Sequence, residues 1–215
     1  VYNDETDKIR VEKSVGRLAE LEKKIDGNVP VGCIGIGHTR WATHGAPSDW
    51  NSHPHTDCSG DFAVVHNGII ENYAEIKKRL EEKGMHFRSQ TDTEVLVQLI
   101  EYIQTTRNVD LLTAVQVALH QVIGAYAVAV LDRNNPRQII AARKQSPLVV
   151  GIGDGEFYLG SDASPIVEYT DKVVYLEDGN IAVLVPGEEL KVVDIYNEKQ
   201  DAVVKKVNIN LGQIE

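Results

Sequence analysis

The chain has 215 residues, with 22 Lys plus Arg against 32 Asp plus Glu and a formal net charge of −10. That length fits one large domain able to bury its own core, and the acidic balance argues against partners such as nucleic acid or an anionic membrane surface. Apolar runs stay far short of the ~20 residues of a membrane span, and the first residues lack the basic-then-apolar layout of a secretory signal, so a cytoplasmic protein is expected. Cys33 and Cys58 are too few for a disulfide scaffold and are read as free buried thiols.

In chain order, Val15, Leu18, Leu21 and Ile25 recur at helical spacing before Asp26-Gly27 and Pro30, which predicts a short amphipathic helix over a sheet edge. A strand-like apolar run covers 32–37, and another covers 62–65. Tyr73, Ile76, Lys77 and Leu80 mark a second helix that stops at Gly84, where a left-handed residue is permitted. Val95, Leu96, Leu99, Ile100 and Ile103 form one apolar stripe of a third helix, and Thr91 with Glu94 has the capping-box spacing. Leu112, Val115, Leu119 and Val122 indicate a fourth.

Beyond Gly124 the pattern changes to short apolar runs at 126–131, 138–142, 148–152, 157–159, 173–176, 181–185 and 190–195. Asp154-Gly155 and Asp178-Gly179 lie between such runs and read as hairpin turns. Helices grouped early and hairpins late favour an α+β layered fold over an alternating parallel one. No internal repeat or low-complexity tract is visible.

Chemistry concentrates in two strings, His38-Thr39-Arg40-Trp41-Ala42-Thr43-His44-Gly45 and His66-Asn67-Gly68-Ile69-Ile70-Glu71-Asn72. Neither a core strand nor a plain polar loop calls for a guanidinium, an indole, hydroxyls and imidazoles so close together. Arg40 suits a bidentate grip on a carboxylate, or it stacks on Trp41 at the surface. Asp92 pairs with an ammonium or serves as a helix cap; the residues alone slightly favour the cap. Asn67-Gly68 reads as a hairpin turn or as an amide donor beside an unhindered N–H, and only Ile69 and Ile70 would remain for a return strand. A zinc reading that gathers His44, His53, His55 and Cys58 lacks any close ligand pair such as Cys-x-x-Cys.

These strings closely resemble the glutaminase domain of the glutamine–fructose-6-phosphate aminotransferases (isomerising). The resemblance continues through Thr91-Asp92-Thr93-Glu94, Gly124-Ala125-Tyr126, Ala141-Ala142-Arg143, Ser146-Pro147-Leu148 and Ser161-Asp162. Amidotransferases of purine synthesis resemble it too but usually carry Tyr-Ser where this chain has Trp41-Ala42. The resemblance implies the four-layer αββα sandwich of N-terminal nucleophile hydrolases, with two stacked antiparallel sheets between helical layers. It implies that Asn67 and the Gly68 N–H form an oxyanion hole, that Arg40 and Asp92 bind glutamine, that Thr43 and His44 add contacts, and that Trp41 gates the path of ammonia. No metal or organic cofactor is implied.

The nucleophile of the family is a Cys at the first position of the mature chain, with its own α-amine as base. This chain opens on Val1-Tyr2. The expectation is therefore one glutaminase domain over 1–215, incomplete at its N-terminus, inactive alone, and continued in its parent by an isomerase domain that binds fructose 6-phosphate. Cys33 is rejected as a substitute because it has no free α-amine, and an unactivated thiol near pKa 8.5 is mostly protonated. The implied partners are L-glutamine and that isomerase domain, in a homo-oligomeric parent that makes glucosamine 6-phosphate. A noncatalytic glutamine-binding module and the glutaminase domain of another amidotransferase are the alternatives.

Overall fold

Residues 1–40 and 44–207 are described by a computed structural model, in which two antiparallel sheets face each other across an apolar layer. The chain runs β1 (Tyr2–Asn3), β2 (Lys8–Ile9), α1 (Leu18–Ile25), β3 (His55–Thr56), β4 (Phe62–Ile70), α2 (Tyr73–Glu81), α3 (Asp92–Arg107) and α4 (Leu111–Gln121). Strands then follow without further helices: β5 (Gly124–Asp132), β6 (Ile139–Lys144), β7 (Val149–Ile152), β8 (Phe157–Gly160), β9 (Lys172–Tyr175), β10 (Ile181–Leu184), β11 (Lys191–Val193) and β12 (Val204–Lys206). The first sheet has the order β11-β10-β6-β5-β4-β3 and the second β12-β9-β7-β8, with a separate β1-β2 ribbon.

The period of two in the strands distributes the cores. On β5 and β6, Tyr126, Val128, Val130, Ile140 and Ala142 face the helices, whereas Ala127 and Ala141 face the second sheet. On the second sheet Val150 and Val174 look inward, and Val149 and Val173 look outward. That outer face is covered by helical turns at 163–170, where Val167 N–H reaches Ala163 C=O and Thr170 N–H reaches Ile166 C=O. The αββα order is thus present, with one outer layer of three helices and the other reduced to single turns.

Helix α3 is the centre of the helical layer. It packs on α2, α4, β3 and β4, so every residue from Asp92 to Ile100 is buried rather than one stripe alone. Each fully buried Leu or Ile there contributes about 1.5–3 kcal/mol. In α4 the inward face is Leu111, Ala114, Val115, Ala118 and Leu119, which includes Val115 and Leu119 of the expected stripe, with Val122 buried just beyond, while Leu112 is only partly buried. Helix α2 ends as expected, with Gly84 at φ +88° and Met85 N–H returning to Leu80 C=O.

Several expectations are corrected. Helix α1 buries none of its residues and covers no sheet edge; Leu18 is 63% exposed. The 32–37 run is extended, yet its bond to a strand is a lone bridge between Ile34 and Tyr2. Asp154-Gly155 does turn the β7–β8 hairpin. Asp178-Gly179 also turns, through Asn180 N–H to Glu177 C=O, but it carries the chain from β9 in one sheet to β10 in the other. A local turn signal does not specify which sheet the next strand joins.

The N-terminus of α3 is docked on the sheet by side chains. Thr91 caps the helix, its Oγ1 accepting Glu94 N–H at 3.3 Å. The Glu94 carboxylate does not close the box; it accepts the N–H groups of Arg88 and Ser89 at 2.8 and 2.6 Å. His55 on β3 bonds Thr91 Oγ1 through Nε2 at 3.1 Å, and His66 on β4 bonds Thr93 Oγ1 through Nδ1 at 3.1 Å. Burial pushes both imidazoles down, His55 to about 3, with the Lys13 charge adding to the shift. They fold as neutral rings.

Two tests follow from this packing. Below the unfolded histidine pKa of about 6.5 the unfolded chain takes up protons that the folded one refuses, so stability falls with pH. Between pH 6.5 and 5.5 the loss is about 1 kcal/mol for each of His55 and His66, and Glu101 and Asp132, pushed up by burial, oppose it only in the carboxylate range. Urea melts at pH 7.5, 6.5 and 5.5 check this, and a flat midpoint contradicts it. Gly124 sits at φ +127° and a Cβ there would lie 2.1 Å from Ile69 O. Gly124→Ala is expected to cost about 2–4 kcal/mol in the same melts.

Candidate functional site

Three segments meet at a cavity of ≈240 Å³: the loop after His38, the end of β4, and the first turn of α3. It is smaller than the ~300–1,000 Å³ of pockets for drug-sized ligands and suits a molecule of amino-acid size. Arg40, His44, Asn67, Gly68 and Asp92, all singled out from sequence, line it together. Trp41 and Thr43 lie outside the described residues. His38, His53, His66, Thr91 and Thr93 line it as well and were given no part in this site, His53 having been weighed only as a zinc ligand and Thr91 only as a helix cap. Their signal was present, since His38 and His66 open the two dense strings.

The loop is shaped by its own hydrogen bonds. Arg40 takes a left-handed φ of 47°, and its Nη2 donates to the carbonyls of His44 and Gly45 at 2.7 and 2.9 Å. Gly45, at φ +77°, has no room for a side chain: a Cβ would sit 2.5 Å from Asn51 Nδ2. His44 meets the ring of Tyr73 on α2 edge-on at 5.0 Å. Its Nδ1 is buried with no hydrogen-bond partner among the described residues and lies 3.8 Å from Asp92 Oδ1. Arg40 N–H donates to His38 Nδ1 at 2.8 Å, and His38 Nε2 lies 2.6 Å from Asn67 Oδ1.

Asn67-Gly68 is not a turn. Both residues lie inside β4, opposite Ala127 and Tyr126 of β5. Gly68 has φ +124°, and a Cβ there would be 2.1 Å from Ala125 O, so only glycine fits. Just beyond, Ile70 N–H donates to Asp92 Oδ2 at 2.8 Å. Asp92 is thus the first residue of α3 rather than its cap, and Oδ1 accepts no hydrogen bond among the described residues. A carboxylate, a guanidinium and an amide therefore border one small space.

A wider groove of ≈750 Å³ runs between the sheets and shares His38, His66 and Asn67 with the cavity. Its walls are residues 33–39 on one side and Ala127, Val128, Leu148, Phe157 and Leu184 on the others. Cys33 and Cys58 are free but exposed, not buried as expected, and Cys33 lines this groove, not the cavity. Cys58 donates to His86 C=O at 3.3 Å and is away from both. Among the described residues no group of three His, Cys, Asp or Glu side chains is placed to hold a metal. No helix there is long and apolar enough to cross a membrane.

Comparison with known proteins agrees with this geometry. A structural likeness is seen with glutamine phosphoribosylpyrophosphate amidotransferase from B. subtilis, at TM-score 0.60 and 25% identity over 74% of this chain and 34% of that one. The chain is 61% identical over 96% of its length to glutamine–fructose-6-phosphate aminotransferase (isomerising) of Bacteroides thetaiotaomicron, and 48% identical over 100% to that of Chlorobaculum tepidum. It spans about a third of those relatives, 34% and 35%. The family model for the glutamine amidotransferase domain matches residues 38–168, from the start of the cavity loop to beyond β8. The chain belongs to the glutamine amidotransferase domain family.

Proposed function

We propose that this chain is the glutaminase domain of a glutamine–fructose-6-phosphate aminotransferase, with L-glutamine bound in the cavity of Arg40, Asp92 and Asn67-Gly68. The observation that carries this reading is the convergence of one cation, one anion and a paired amide donor on a space of amino-acid size. With Nη2 held by His44 and Gly45, Nη1 and Nε of Arg40 remain for the α-carboxylate. Asp92 Oδ1 and the unpartnered His44 Nδ1 receive the α-ammonium. The side-chain amide then points along β4 toward Asn67 and Gly68.

Hydrolysis needs a nucleophile at that amide carbon and donors for the oxyanion. The donors are Asn67 Nδ2 and the Gly68 N–H. The nucleophile is an N-terminal Cys on an extended segment occupying the groove between the sheets, which opens beside Asn67. Its α-amine, of pKa about 7.7–8.0, takes the thiol proton near neutral pH. The thiolate attacks the amide carbon, ammonia leaves with a proton from the ammonium, and water then releases glutamate from the thioester. In the parent the ammonia passes to fructose 6-phosphate on an isomerase domain, giving glucosamine 6-phosphate. Trp41 gates that path and Thr43 adds a substrate contact.

The test is glutaminase activity of the protein carrying the Cys-led segment. Arg40→Ala is expected to raise KM for glutamine roughly tenfold to a hundredfold, the worth of a charged hydrogen-bond pair. Asn67→Ala should lower kcat about 10²–10³-fold with KM little changed. The opposite partition would exchange the two roles, and no hydrolysis by the wild type would overturn the reading.

A further inference from the structure

His38 is absent from the roles assigned above, yet it touches two of the residues that have them. Its Nδ1 accepts the backbone N–H of Arg40 at 2.8 Å, and its Nε2 lies 2.6 Å from Asn67 Oδ1. A peptide N–H only donates, so Nδ1 must present its lone pair. A neutral imidazole with Nδ1 as acceptor carries its proton on Nε2. The tautomer is therefore fixed by the main chain of the cavity loop, and Nε2 donates to Asn67.

That donation fixes the amide in turn. Were Asn67 rotated by half a turn about its last bond, its NH₂ would face the Nε2–H, donor against donor. The lower-energy arrangement places Oδ1 on His38 and leaves Nδ2 for another acceptor. The ring itself is held by His53, whose centroid is 4.2 Å away at 34°. Burial pushes the imidazoles of His38 and His53 down, which agrees with a neutral pair.

We propose that His38 is a positioning residue: its Nε2–H orients the Asn67 side chain so that Nδ2 faces the oxyanion, and its Nδ1 links that orientation to the loop that carries Arg40. This rests on the reading of Asn67 as an oxyanion donor. It adds a specific relay, Arg40 N–H to His38 to Asn67, through which loop conformation sets amide direction. An unheld Asn67 amide would rotate and spend part of its time presenting oxygen to a developing negative charge.

Two substitutions separate the two ring nitrogens. In His38→Asn the side-chain oxygen replaces Nδ1 as acceptor for Arg40 N–H but cannot reach Asn67. In His38→Gln the amide nitrogen takes the place of Nε2 and still donates to Asn67. In the protein carrying the Cys-led segment, His38→Asn should lower kcat about tenfold or more, leaving KM for glutamine within about threefold. His38→Gln should restore most of that loss. Adding His38→Asn to Asn67→Ala should cost nothing further, because the oriented group is already gone.

Nitrogen-15 shifts of the imidazoles in the present chain give a readout independent of activity, and a neutral Nε2–H tautomer is expected for His38. An Nδ1–H tautomer would overturn the proposal. So would an active His38→Asn protein, or losses at His38 and Asn67 that multiply. If Asn67→Ala itself leaves kcat unchanged, the oxyanion role of Asn67 falls and takes this proposal with it; an impaired Asn67→Ala beside an unimpaired His38→Asn overturns His38 alone.

Discussion

The bond from Ile70 N–H to Asp92 Oδ2, 2.8 Å long and buried, sets the relative position of the strand and the helix that form two sides of the cavity. Ile70 closes β4 two residues after Gly68, and Asp92 opens α3. One hydrogen bond thus joins the strand that bears the amide to the helix that bears the carboxylate. The neighbours of Asp92 reinforce it, since Thr91 and Thr93 bond His55 and His66 from β3 and β4. Three successive residues at one helix N-terminus grip the sheet. A buried carboxylate is costly unless compensated, and here the compensation is a peptide N–H together with the positive end of a sixteen-residue helix.

The electrostatics of the cavity follow from what is buried beside it. Arg40 and Asp92 are its one Lys or Arg and its one Asp or Glu among the described lining residues. Burial holds the imidazoles of His38, His53 and His66 below their ordinary pKa. Neutral rings offer a donor and an acceptor without adding positive charge that would compete with a ligand's ammonium for Asp92. On the proposed reading, the result is a dipolar slot: cation at one end, anion at the other, neutral hydrogen-bonding walls between. That pattern favours a zwitterionic amino acid over a simple cation or anion.

The charged and amide groups of the cavity were legible because its chemistry comes in short strings, and each string lies on one segment. Arg40 and His44 share a loop, Asn67 and Gly68 share β4, and Asp92 opens α3. What the sequence hid is what long-range contacts decide. Asn67-Gly68 carries the strongest of turn signals, yet it runs straight through β4 because Ala127 and Tyr126 continue the ladder opposite it. Gly68 and Gly124 are glycines for the same reason, namely that each lies against a carbonyl of the neighbouring strand. Asp178-Gly179 turns as its residues dictate, but the sheet each flanking strand joins is set by β6 and β7, not by the turn. Helix α1 shows a real amphipathic spacing and still packs against no sheet edge, because periodicity describes a face without supplying its partner. His53 and His55 drew only a zinc reading, since a histidine is equally at home in a core, a surface or a site, and their places beside His38 and Thr91 are set by long-range packing.

The placement of the two halves of the site has a mechanical consequence. Donors for an oxyanion must be fixed within a fraction of an ångström to favour the transition state over the bound substrate, and a strand paired along its length provides that fixity better than a loop. Asn67 and Gly68 sit in the longest ladder of the protein, nine residues of β4 against nine of β5. The groups assigned to recognition, Arg40 and His44, sit instead on a loop held by Arg40's own bonds to His44 and Gly45 carbonyls. Such a loop keeps its shape without being welded to the sheet, so its position relative to β4 depends on the few contacts that cross between them. His38 makes the shortest of those among the described residues, 2.6 Å to Asn67. On the proposed reading, recognition and charge stabilisation are built on separate supports, and the shortest of the described contacts between them is made by one imidazole.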